Sequence, residues 1–75
     1  MERLPLDQIR PSPHRHYFGV DHLDQLVERM RIYGQVDVIV VKRSGDSYEI
    51  VDGMRRWLVA RMLGWRTLDA KVLTH

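Results

Sequence analysis

The run Tyr48-Glu49-Ile50-Val51-Asp52-Gly53-Met54-Arg55-Arg56-Trp57 constrains this chain more than any other stretch, because it passes from strand chemistry to helix chemistry across a single glycine. Tyr48 to Val51 is rich in β-formers. Beyond Gly53, the spacing of Met54, Trp57, Leu58 and Met62 is that of one helical face, and Gly64 closes the segment. A helix start leaves backbone N–H groups without partners and carries a partial positive charge, so Arg55 and Arg56 in the first turn make the junction suited to phosphate. Gly53 either lets a ligand approach the backbone or takes a positive φ, and Asp52 is placed to cap the helix. The competing reading is a solvated face, with the arginines paired to local carboxylates such as Asp52.

The preceding residues supply the rest of a small fold. Leu4-Pro5-Leu6-Asp7-Gln8-Ile9 is short, apolar and interrupted by proline, which predicts an edge strand or an extended lead-in. Pro11-Ser12-Pro13-His14-Arg15-His16 disfavours helix and predicts a surface loop. Asp21 is the expected N-cap of a helix whose face is Leu23, Leu26, Val27, Met30 and Tyr33, with Gly34 as its stop. Val36 to Val41 predicts a strand, covered on both faces or central in a sheet. Lys42 to Ser47 holds turn chemistry, so this strand and Tyr48–Val51 form a hairpin. Leu68, Ala70 and Val72 alternate with Asp69 and Lys71, which predicts a last strand. The expected order is β, loop, α, β, β, α, β within one domain spanning residues 1–75.

Composition narrows the chemistry. At 75 residues, 44% of them hydrophobic, the chain can bury one modest core, roughly 60% of its unfolded surface. A formal charge of +2 is too small for a dense basic stripe of the kind general nucleic-acid binders carry. With no cysteine, disulfides, thiol catalysis and cysteine-ligated zinc are excluded. No segment has the length and apolarity of a membrane span or a signal peptide, so the expected location is the cytoplasm. The histidines His14, His16 and His22 match no zinc spacing, and no metal site is expected. Asp21 and Asp24 suit the positive end of a helix, and Glu28 is in pairing range of Arg31. Trp57, beside Met54 and Leu58, reads as core, with base stacking as its alternative use. Trp65 follows the helix stop and is expected to be partly exposed.

From Phe18 to Gly64 the chain resembles the N-terminal domain of the ParB family, the chromosome and plasmid partition proteins, whose fold is shared with sulfiredoxin. The likeness is carried by the helix ending at Tyr33-Gly34, the strand Ile39-Val40-Val41, and the block Tyr48 to Trp57 followed by Ala60 and Leu63-Gly64. Pro11-Ser12-Pro13 is similar to the Pro-Asn-Pro that opens that domain, with Arg15 matching an arginine that follows it. The resemblance implies an α+β fold, a small mixed sheet packed against two helices. It also implies a nucleotide site, for CTP with magnesium as in ParB or ATP as in sulfiredoxin, in which Gly53, Arg55 and Arg56 grip the phosphates. Gly34, Gln35 and Asp37 would line the base side, and Arg15 would close from its loop.

This chain has Gly-Met-Arg-Arg where the family has Gly-Glu-Arg-Arg. Met54 can neither hold magnesium nor orient a water, which argues against hydrolysis. Asp37 and Val38 stand where glutamine and proline are usual, a change at the base side. Sulfiredoxin needs a cysteine after the glycine of this turn, so that activity is excluded. The expected function is a nucleotide- or phosphate-binding module, an accessory in DNA partition or regulation that reaches DNA through a partner protein. Two alternatives are an enzyme of the ParB-like nuclease or nucleotide-dependent kinase type, with Asp52 or Asp37 as base, and an interaction domain that has lost its ligand. Apolar surface left over from so small a core implies a partner, a homodimer being the simplest.

Overall fold

The computed structural model describes residues 1–74. Five strands and two helices follow in the order β1 (Glu2–Pro5), β2 (Ile9–Pro11), α1 (Asp24–Tyr33), β3 (Ile39–Ser44), β4 (Ser47–Asp52), α2 (Met54–Met62) and β5 (Thr67–Leu73), with a 3-10 turn at Leu6–Gln8 between β1 and β2. The sheet order is β1-β5-β3-β4-β2. Pairing is antiparallel for β1 with β5 and β3 with β4, and parallel for β3 with β5 and β2 with β4. This is an α+β fold built on a mixed sheet.

The N-terminal segment departs from the expected single strand. It makes two, which occupy opposite edges of the sheet. From Pro5 to Ile9 the chain spans four residues, at most about 14 Å when extended. A flat sheet would hold its first and fifth strands about 19 Å apart. The sheet is therefore curled, its two edges drawn together by the 3-10 turn, where the Leu6 amide donates to the Arg66 carbonyl at 2.8 Å. Short edge strands that carry Pro5 and Pro11 offer little for another chain to pair with.

β3 lies at the centre, as its apolar run implies, and Ile39 and Val41 are fully buried. It begins three residues later than expected and continues through Lys42, Arg43 and Ser44. Ser44 pairs with Ser47, so the hairpin turn is only Gly45-Asp46. The residues from Val36 to Val38 stay outside the strand because the chain there is held differently. Gln35 bonds both backbone groups of Asp69 on β5, and the Asp37 carboxylate accepts the Val38 amide at 2.9 Å.

α1 also starts later than expected, at Asp24, and Leu23 occupies the N-cap position without a side-chain cap. Asp21 lies too far upstream to cap it and sits 3.5 Å from the His22 ring instead. The buried stripe of α1 ends at Met30, while Tyr33, in its last turn, is 73% exposed. On α2 the buried residues are Trp57, Val59 and Ala60, and Met62 is exposed. The core joins these to Met30 of α1, to Ile39, Val41, Tyr48 and Ile50 of the hairpin, and to Leu4, Ile9, Leu68 and Ala70 of the outer strands. Among the described residues, no helix is long and apolar enough to cross a membrane.

Candidate functional site

The β4–α2 junction is set by packing before any ligand enters the argument. Gly53 has φ +101 and ψ +23, in the left-handed region, and occupies the N-cap position of α2. A Cβ at Gly53 would lie 2.5 Å from Ile39 Cγ2, so only glycine allows β4 to turn this tightly against the start of β3. The role expected for Asp52 as a cap is not met: α2 has no side-chain cap, because the left-handed turn places Gly53 at the cap position. The first amides of α2 are thus left without a side-chain acceptor, at the positive end of the helix.

Beside these amides lies a cleft of ≈ 320 Å³ between β4, α2, α1 and the loop before α1. Three guanidinium-bearing residues line it, Arg29 from α1 with Arg55 and Arg56 from α2, against a single carboxylate, Asp52. Arg55 Nη2 donates to the His22 carbonyl at 2.6 Å, which ties the first turn of α2 to the loop ahead of α1. Arg56 is half-buried, and its Nη2 lies 3.6 Å from Asp37 Oδ2. Phe18, at the cleft wall, is 86% exposed. Its neighbour Tyr17 is fixed, since its hydroxyl accepts the Ser12 amide and donates to the Ile50 carbonyl, both at 2.8 Å. An excess of guanidiniums at a helix start, in a walled cleft, is chemistry that fits a phosphate chain.

The expected residues divide between this cleft and other places. Gly53, Arg55, Arg56 and Asp52 come together in it. Arg15 lines a separate cleft of ≈ 220 Å³ with Ser12, Lys42 and Glu49, and Val51 lies between the two. Gly34 ends α1 with φ +77, and its amide donates to the Met30 carbonyl. The Gln35 amide group is taken up by Asp69 and by the Asp37 carbonyl. Asp37 reaches the site only through Arg56. Met54, half-buried, also lines the cleft.

Arg29, Tyr17 and Phe18 were not anticipated. For Arg29 a signal existed: it lies three residues after Leu26 and so shares the side of α1 that faces the cleft. Tyr17 and Phe18 sit in a loop whose path depends on the Tyr17 hydroxyl bonds, and no periodicity announces that. Glu28 and Arg31 form the expected exposed pair at 2.7 Å.

The family model described as the ParB N-terminal domain matches residues 1–75. The chain belongs to that family. Among curated relatives, the chromosome-partitioning protein Spo0J of Thermus thermophilus is 39% identical over 72 residues, covering 93% of this chain and 27% of the relative. This ParB-type domain therefore spans about a quarter of that relative's length. Among solved structures, the C-terminally truncated chromosome-partitioning protein ParB of Caulobacter crescentus, complexed with CTP-gamma-S, superposes with a TM-score of 0.80 at 28% identity. That match covers 96% of this chain and 43% of the other. Sulfiredoxin from Arabidopsis thaliana shares the fold with a TM-score of 0.81 at 24% identity, covering 99% of this chain and 84% of that one.

Proposed function

We propose that this ParB-type domain binds a nucleoside polyphosphate in the cleft at the start of α2. The observation that carries the reading is that Arg29, Arg55 and Arg56 line one cleft together with the uncapped start of α2 and a single carboxylate. The fold match to a ParB complexed with CTP-gamma-S supports a cytidine nucleotide as the first ligand to test. In this reading Arg55 and Arg56 hold the phosphates, Gly53 shapes the backbone around them, and Phe18 offers an exposed ring at the rim. To a magnesium ion the cleft offers Asp52 alone as a charged oxygen ligand, so most of the coordination would come from phosphate and water. With Met54 in place of a carboxylate, binding rather than turnover is the activity proposed. The domain then acts as a ligand-responsive accessory in DNA partition, the process named for its relatives.

The test is calorimetry and thermal unfolding of the purified chain with CTP, ATP, GTP and a short DNA duplex, each with and without magnesium. A nucleotide at ~100 times its dissociation constant stabilises the fold by about 2.7 kcal/mol, and Arg55→Ala combined with Arg56→Ala removes that gain. Absence of binding to every nucleotide refutes the reading. Phosphate release that is lost in Asp52→Ala would establish an enzyme in its place.

A further inference from the structure

Asp37 stands outside the cleft, yet its carboxylate faces the half-buried guanidinium that lines it. The two oxygens of that carboxylate are differently occupied: Oδ1 accepts the Val38 amide at 2.9 Å, and Oδ2 lies 3.6 Å from Arg56 Nη2. The backbone beneath it is held as well. Gln35 Nε2 donates to the Asp37 carbonyl at 3.0 Å and to the Asp69 carbonyl at 2.7 Å, while Gln35 Oε1 accepts the Asp69 amide at 2.7 Å. A chain of hydrogen bonds therefore runs from β5 through Gln35 to Asp37, and the carboxylate is presented to Arg56 from a fixed turn rather than on a loose loop.

We infer that Asp37 is a specificity-determining residue, a tethered anion that offsets the charge of Arg56 and makes the cleft discriminate against longer, more highly charged phosphate chains. The inference rests on the nucleotide reading above and deepens it. It also gives Asp37 a role on the phosphate side of the site, not the base side. The physical signature follows from Coulomb's law: repulsion between Asp37 and a bound ligand grows with each phosphate added, whereas any benefit from holding Arg56 in place is the same for every ligand.

The experiment is calorimetric titration of the full chain and of Asp37→Asn with CMP, CDP and CTP and with AMP, ADP and ATP, in EDTA at low salt. Asparagine keeps an oxygen for the Val38 amide, so the turn is retained while the charge is removed. The expected result is that Asp37→Asn tightens triphosphate binding by roughly threefold to fivefold, the size of a partly exposed ion pair. Diphosphates gain less, and monophosphates stay within about 1.5-fold of wild type. The gain fades as salt is raised. It vanishes in an Arg56→Gln background, and Asp37→Glu keeps the wild-type order of ligands.

A change of equal size for mono-, di- and triphosphates, or weaker triphosphate binding in Asp37→Asn, overturns the inference and leaves the nucleotide reading standing. Failure of both chains to bind any of the six nucleotides, in EDTA and again with magnesium, refutes the nucleotide reading, and the inference with it.

Discussion

At Gly53 the reason for glycine is a neighbour as much as a ligand. Its φ of +101 already disfavours a side chain, and the Ile39 methyl 2.5 Å from an added Cβ adds a collision inside the sheet. Gly53→Ala is expected to cost about 2–4 kcal/mol in urea unfolding, combining backbone strain with overpacking. Gly45→Ala, in the hairpin turn with open space around it, should cost only about 1 kcal/mol. Equal losses at the two positions would remove the Ile39 argument. The sequence left two roles open for Gly53, because the collision depends on how β3 meets β4, including the register shift between Val40 and Val41. Trp57 shows the opposite case. Its place in the core was legible from helical spacing, but its Nε1, buried without a hydrogen-bond partner among the described residues, was not. Its ring packs under the Arg61 guanidinium, 4.8 Å away. Trp57→Phe removes the unpaired donor and is expected to stay within about 1.5 kcal/mol of wild type, whereas Trp57→Ala should lose about 3–5 kcal/mol in the same assay.

Among the elements, the loop between β2 and α1 lends Tyr17 and Phe18 to the cleft while having no regular structure. The Tyr17 hydroxyl replaces what a strand would provide, joining the Ser12 amide to the Ile50 carbonyl of β4. Tyr17→Phe strands both groups and is expected to destabilise the chain by about 1–3 kcal/mol. Faster hydrogen exchange at Ser12 and earlier proteolysis within the loop would report the released segment. Unchanged exchange there would show that the loop is held by something other than this hydroxyl. Helices and strands were read well where one side of the element is buried and the other is wet, as in β5, whose Leu68 and Ala70 are buried. They were read poorly where an end is decided by side-chain hydrogen bonds to distant backbone. Gln35, bonded to β5 across 34 positions of sequence, delays the start of β3, and no local pattern encodes that partner. The same bonds explain why Gln35 stands apart from the cleft it was expected to line.

For the whole molecule, closure of the curled sheet depends on a segment that looked like a lead-in. β1 covers the outer edge of β5, pairing Glu2 to Pro5 with Ala70 to Thr67, and it places Leu4, 5% exposed, opposite Leu68. A domain of this size is expected to have only about 4–11 kcal/mol of stability in total. Deleting residues 1–5 should therefore abolish the cooperative thermal transition and open the core to a hydrophobic dye. A sigmoidal melt within a few degrees of wild type would show that β1 is dispensable. The surface carries exposed apolar side chains at Ile32, Tyr33 and Val36, around the end of α1. They are the counterpart of the apolar excess that the composition of so short a chain implied.

What the sequence determined by itself was local or family-wide: a strand–glycine–helix junction bearing two arginines, an amphipathic helix ending at a glycine, a hairpin, and membership of the ParB type. Each of these follows from residue spacing within a few turns or strands, where backbone geometry alone dictates which side chains share a face. What only the tertiary structure decided was which charges meet. Arg29 arrives at the cleft from another helix, Arg15 is separated from it by Val51, and Asp37 faces Arg56 because Gln35 is anchored to β5. Contacts between residues far apart in the chain depend on the curl and register of the sheet, and those are set by the packing of the whole core.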